Sequence, residues 1–422
     1  MRAQQRKLAS VRRESREPTL AYWQRLVGKA LLKLHPPTPF YLFSTQPIRE
    51  ALAELARALE RLPVPVRHWL SCKTQPVRPL LAWWQHQGWG IEVVSEFELQ
   101  AAVQADFPPE RILVNGPAKH SWLPRHALPG LRVNFDSLAE ARALLPWARK
   151  RGWRLGVRCL TNEERDPENP QCPTQFGLTA DETVAVLRQM RRAGLPLDCV
   201  HFHLRTNVPT PGVYERAIRE LADRCRATHC TPASLDCGGG LPPPHVVARD
   251  GRAFDSRFDL GQWARMLARA IRQFPALQEL WLENGRFVLA RSGVLVVGIL
   301  DVKDRRGLRQ IICDGGRTTH ALISNWEGHD LFTLPTRHGR ATLTSVCGPT
   351  CMAFDQLTRQ PLPRALRTGD RLVWMDAGAY HIPWETRFSH GLAAVLWHDG
   401  HTLSVVRQPE SFEAWWAQWQ EG

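Results

Sequence analysis

A lysine that closes an apolar run is costly to bury in its charged form. Lys73, in HWLSCKTQP, is therefore either a side chain snorkelling to solvent or an amine adapted to covalent chemistry. Further along, HFHLRTN places His201 and His203 on the same face of a strand. Two such histidines suit a metal pair, or the stacking and hydrogen bonding of a ring. The run LDCGGGLPPP ends a strand in Gly238, Gly239 and Gly240. Without Cβ atoms their N–H groups can approach an anion, although a tight turn has the same composition. It is not the spaced glycine pattern of a dinucleotide fold or a P-loop. In LWLENGRF a buried strand ends in Glu283, a turn follows at Asn284–Gly285, and Arg286 comes next. An acid and a guanidinium on one rim suit a ligand with a cationic ring nitrogen and a phosphate, or else pair with each other. Two further segments, CGPTCMAFD with Cys351 and DAGAYHIPWETRFSH with Tyr380, set reactive or polar side chains beside glycine turns.

These residues need a frame. TPFYLFS (38–44) is strand-like, and Pro47 opens a segment in which Ile48, Leu52, Leu55, Leu59 and Leu62 recur at helical spacing. Eight strand-like runs follow: HWLSC, IEVVS, RILVN, LRVNF, RLGVRCL, DCVHFHL, ASLDCG and LQELWLEN. Helix-period segments such as SLAEARALLPWARKRG and DETVAVLRQMRRAG lie between them. This α/β alternation predicts a parallel (β/α)8 TIM barrel over 38–290, with its chemistry at the C-terminal strand ends. The polar residues there are Lys73, Glu92, His201, His203, Asp236 and Glu283. After Arg291 the pattern turns β-rich, which predicts an antiparallel β domain over 291–422 ending in a short helix at SFEAWWAQWQ. Residues 1–37 read as a basic, frayed N-terminal arm, partly associated with the β domain.

The chain has 422 residues, 43% hydrophobic and 23% charged, enough apolar material for more than one core. The net charge of +14 attracts anions, but no nucleic-acid-binding motif accompanies it, so a nucleic-acid partner is not expected. No run of about 18 apolar residues exists, so no membrane span is expected either. Ten cysteines without a CxxC pair, several of them inside apolar runs, suit a reducing, cytoplasmic setting and assign no metal. The 17 tryptophans read as core and interface residues.

Taken together and in order, the motifs resemble the PLP-dependent decarboxylases of the alanine-racemase fold type, the diaminopimelate and ornithine decarboxylase family. TPFYLF resembles the family's opening strand. GWGIEVVSEFEL resembles its "G-x-D-V-x-S-x-x-E-L" segment, and RILVNGPAK its "RI-x-x-x-GPGK". HFHL, LDCGGGLP, ENGR and GPTC resemble "H-x-H-x-G-S", "LDIGGGFP", "EPGR" and "GP-x-C", and DAGAY is the family's own motif. The resemblance covers about residues 38–400 and implies pyridoxal 5'-phosphate as cofactor, fold type III, and a homodimer with shared active sites. It implies that Lys73 holds the cofactor covalently, Glu283 pairs with its ring nitrogen, and His203 stacks on its face. Gly238, Gly239, Gly240, Arg286, Tyr380 and Thr206 would hold the phosphate. Cys351 would cross the dimer interface to deliver a proton.

The departures concern substrate. Arg205 replaces the family's Gly in "H-x-G-S", and Asn284 replaces Pro in "EPGR". Met352 follows Cys351 where decarboxylases of basic amino acids carry an acid for the distal amine. A thioether cannot bind that cation, so the expected substrate has a neutral or anionic distal group addressed by Arg205, Met352, His381 and Arg387. Specialised metabolism of the siderophore or antibiotic kind is the expected setting, with a free or carrier-protein-tethered substrate. Racemisation or epimerisation on the same fold is the first alternative. A catalytically silent regulator is the second.

Overall fold

The eight apolar runs each become a strand, and the strands close. In this computed structural model, which describes residues 2–166, 168–248, 250–320 and 327–420, side chains are described from residue 17 onward. A closed parallel barrel is formed by Val66–Ser71, Gly90–Val93, Ile112–Val114, Arg132–Phe135, Arg154–Arg158, Leu197–His201, Ser234–Asp236 and Glu279–Asn284. The last strand pairs with the first in register Glu283 to Trp69 and Asn284 to Leu70, which closes the ring. The interior is packed, not open: Trp69, Leu113, Cys199 and Trp281 form one buried cluster. Gly90 is required beside it, because a Cβ there would sit 2.2 Å from Trp69 Cε3.

Several of the helices between strands begin where the sequence offers caps. Ser95 accepts from the Glu98 N–H and Ser137 from the Glu140 N–H. Thr179 and Glu182 form a reciprocal capping box at Ala180–Arg192. Each such cap is worth about 1 kcal/mol. The helix predicted after Pro47 runs Thr45–Leu59 and buries Ile48, Leu52, Leu55 and Leu59, as the spacing requires.

The chain divides into two compact units. One comprises Leu52–Pro242 and Asp255–Phe287; the other comprises Met1–Ala51, Pro243–Phe254 and Val288–Gly422. The second unit is built on a nine-stranded, mostly antiparallel sheet. Here the sequence reading needs two corrections. Phe40–Ser44, placed with the barrel, instead pairs with the long strand Gly293–Arg305 and with Ala394–His398. Its run FYLFS is buried on both faces, so it reads like a barrel strand locally. The N-terminal stretch is not a frayed arm: it is helical over Arg2–Leu34, and Trp23, Leu26, Val27 and Ala30 join the core with Phe40, Leu42, Val294 and Leu396. Spacings of three and four made that face helical and apolar. Among the described residues no helix is long and apolar enough to cross a membrane.

Candidate active site

The C-terminal strand ends of the barrel gather the expected residues. Glu283 lies next to last in its strand and is 4% exposed. Its Oε1 accepts from Asn115 Nδ2 at 2.6 Å and lies 3.2 Å from His201 Nε2. Its Oε2 lies 3.0 Å from His203 Nδ1. Asn115 is oriented in turn by Asn134, whose Nδ2 donates to Asn115 Oδ1 at 2.9 Å. Two adjacent strands thus aim one amide at one carboxylate. The Gly239 N–H also approaches His203 Nδ1, at 3.3 Å. One ring nitrogen cannot donate to a carboxylate and accept from an amide, so the shorter contact assigns Nδ1–H to Glu283.

The electrostatics sort the acids. Burial works to raise Glu283, but the charge and hydrogen bonds of His201 and His203 outweigh it and hold the carboxyl well below its usual range. Burial lowers His201 itself, so His203 and the Asn115 amide are the donors we credit with keeping Glu283 ionised. Asp236 is raised well above the carboxylate range by burial and then by the Glu283 charge. Two buried acids at one rim therefore divide one proton, as like charges in a poorly solvated space must. Asp236 Oδ1 accepts from the Gly238 N–H at 2.9 Å.

Lys73 sits in a single turn, Cys72–Thr74, immediately after the first barrel strand. Its Nζ is 2.6 Å from Glu92 Oε2, and Glu92 is nearly fully buried. Beyond it Glu98 is pushed up to about 7, chiefly by burial. Sequence reasoning named Glu92 only as a polar strand end and passed over Asn115. The available signal for both was position: each is a polar residue at or near the C-terminal end of an apolar run.

The three glycines fit a close backbone turn. A Cβ on Gly238, at φ 61°, would lie 2.7 Å from Phe202 O, and one on Gly240, at φ 91°, would lie 2.4 Å from Arg205 O. Arg286 is half-buried at the start of the short helix Arg286–Leu289. Thr206 and Arg205 are exposed.

The remaining expected residues belong to the sheet unit. Cys351 is exposed and Met352 half-buried in a loop organised by Asp355, which accepts from Thr318 N, Thr350 N and Thr350 Oγ1. Tyr380 holds a left-handed φ of 69°, and Asp376, at the start of the same DAGAY segment, has φ 60°. Such backbone is uncommon for non-glycine residues. His381 and Arg387, expected at the substrate, each have a partner within the sheet unit. His381 is buried with Nδ1 on Ala379 O, and Arg387 Nε is engaged by Glu410 at 2.8 Å.

His201, His203 and Glu283 could by type also ligate a metal. The whole set fits pyridoxal phosphate better: a buried ionised carboxylate for a protonated ring nitrogen, a lysine on the same rim, and a glycine turn without side chains.

The chain is similar to known proteins. Residues 46–290 match the family described as pyridoxal-dependent decarboxylase, pyridoxal binding domain. A diaminopimelate decarboxylase of Actinosynnema pretiosum is 29% identical over 326 residues, covering 73% of this chain and 72% of that protein. One from Zymomonas mobilis is 24% identical, covering 89% and 91%. The structure of Helicobacter pylori diaminopimelate decarboxylase complexed with L-lysine superposes with a TM-score of 0.76 at 21% identity, covering 92% of this chain and 98% of that one. That of the Paramecium bursaria Chlorella virus arginine decarboxylase gives 0.72 at 19% identity, covering 89% and 99%. The match over 46–290, more than half the chain, and the acid–histidine–lysine rim that falls inside it lead to one conclusion: this chain belongs to the pyridoxal-dependent decarboxylases, with pyridoxal phosphate as its cofactor and an amino acid as its substrate.

Proposed function

We propose that this enzyme decarboxylates an amino acid whose distal end is not a simple amine, in specialised metabolism. Bound pyridoxal phosphate supplies an electron sink for the pair left when the carboxyl group departs. The protein's part is to place and protonate. Lys73 is the covalent anchor, and Glu92, 2.6 Å from Nζ, accepts the proton that the ammonium must lose before its nitrogen is nucleophilic. Glu283 keeps the ring nitrogen protonated; His203 supports that carboxylate from one side and Asn115 from the other. Gly238, Gly239, Gly240, Thr206 and Arg286 would hold the phosphate. Cys351, exposed on its loop, acts in the site of a second subunit and returns a proton to Cα.

The single observation that carries the substrate reading is the loop around Cys351. Position 352 offers a thioether, and the nearest acid, Asp355, is buried and committed to three donors of Thr318 and Thr350. No carboxylate of this loop is left to meet a distal ammonium. Arg205, exposed beside the His203 segment, favours an anionic or neutral group there. Diaminopimelate, the substrate in the names of the relatives, carries a distal carboxylate as well as an amine and so meets half of this requirement.

Carbon dioxide release from a panel of amino acids tests it. Glutamate-type and citrate-conjugated amino acids are expected to turn over faster than lysine or ornithine, and Met352→Glu is expected to shift the ratio toward lysine by about tenfold, the worth of one charge-assisted contact. Faster lysine or ornithine turnover by the unaltered enzyme would refute the substrate reading. Release of no carbon dioxide with inverted Cα would point to racemisation instead.

A further inference from the structure

The helix Pro211–Thr228 ends in a way that sets two cysteines against each other. His229 follows it with φ 53°, its N–H donates to Arg226 O at 3.2 Å, and the Cys230 N–H donates to Cys225 O at 3.0 Å. This pair of bonds is the Schellman arrangement, in which the residue three before the helix cap and the one two beyond it bring their side chains together, usually as two apolar groups. Here both are cysteines. Thr228 Oγ1 lines the same turn, 3.3 Å from Cys225 O and 3.3 Å from Cys230 Sγ. Cys225 is buried and Cys230 half-buried, so an attacking reagent meets Cys230 first.

The two thiols are unequal. The hydrogen bond from Cys225, opposed by burial and helped by the Thr228 hydroxyl and Arg191, lowers Cys230 to about 7. The same hydrogen bond, with burial, pushes Cys225 up. A half-exposed thiol made more acidic than usual, beside a second thiol, is the arrangement of a reactive and a resolving cysteine.

We propose that Cys225 and Cys230 form a peroxide-sensitive pair that closes to an intrachain disulfide at the end of this helix. The Cys230 thiolate attacks one oxygen of hydrogen peroxide. The O–O bond breaks, the other oxygen leaves as water after taking up a proton, and Cys230 carries the hydroxyl as a sulfenic acid. Cys225 sulfur then attacks Cys230 sulfur and displaces hydroxide, which takes the Cys225 proton and leaves as a second water. Two thiols lose two electrons in all, and one peroxide is reduced to two waters. The bridge asks little of the backbone, because a hydrogen bond already ties the same two residues across the turn.

The test treats the enzyme reconstituted with pyridoxal phosphate with a several-fold molar excess of hydrogen peroxide, then alkylation, tryptic digestion without reductant and mass spectrometry. The Cys225 and Cys230 peptides are expected joined, two hydrogens lighter than their sum, and separated again by dithiothreitol. Cys225→Ser is expected to abolish the bridge and let Cys230 proceed to sulfinic acid, while Cys230→Ser leaves Cys225 unoxidised at the same dose. The exposed Cys172 reports that the oxidant acted. Sulfinic acid on Cys230 of the unaltered chain without a bridge, a bridge from Cys225 to the buried Cys159, or two thiols that still alkylate fully would each overturn the proposal.

Discussion

Glu283 is surrounded on three sides by nitrogen, and that crowding gives the carboxylate its value. An amide of the same shape cannot hold a ring nitrogen in its protonated form. Glu283→Gln should therefore retain the coenzyme and lose roughly 10²-fold or more in kcat, a typical cost of deleting one positioned charge. Glu92→Gln should instead slow the rebinding of pyridoxal phosphate to coenzyme-free enzyme while sparing kcat once loaded. Equal kcat losses for both, read from carbon dioxide release, would show that the two acids do not divide the work in this way. Lys73 and Glu283 stand out in the sequence because each closes an apolar run. Asn115 and Asn134 do not. Their meaning comes from strand neighbours 19 residues apart, a distance across which the sequence shows only two unremarkable amides.

At the scale of elements, the helix Glu96–Gln104 stores a pH dependence. Glu98 accepts from the Val94 N–H, yet burial lifts it from 4.5 to about 7. A carboxyl raised on folding adds stability below its unfolded value, and that stability is lost as the pH climbs through the folded value. Between pH 4.5 and about 7 the fold should therefore weaken, by on the order of 1–2 kcal/mol after allowance for its partial solvent contact. Glu98→Gln keeps an acceptor for Val94 and removes the titration. Thermal melts should match the unaltered enzyme near pH 4.5 and exceed it by a few degrees near pH 8, as about 2–4 °C per kcal/mol implies. A gain confined to low pH would contradict the sign. Element identity in the barrel was legible because each strand is a short apolar run, and several are followed by a capped helix. In the sheet, Gln356–Pro363 was missed because Pro361 and Pro363 argue against a strand. It forms at the sheet edge, where a missing donor costs least.

For the whole molecule, barrel and sheet were separable in the sequence, and so was the association of the N-terminal segment with the sheet, but the first strand was placed with the barrel and the first helix was not foreseen. FYLFS has no local mark of its destination; only its pairing with residues 293–296 and 394–398 decides it. The proposed use of Cys351 in a second subunit's site makes a prediction at this scale. Lys73→Ala and Cys351→Ala, each impaired alone, should regain activity when co-expressed. Random mixing gives about a quarter intact sites, because half the dimers are mixed and each of those holds one complete site. No recovery would place lysine and cysteine in the same subunit's site. The claim on which the proposed function depends is that Lys73 carries the coenzyme. Borohydride reduction of the reconstituted enzyme, followed by digestion and mass spectrometry, measures it directly. The account predicts one pyridoxyl phosphate per chain, on Lys73, and none on the Lys73→Ala variant; a label on any other lysine, or no label at all, would contradict it.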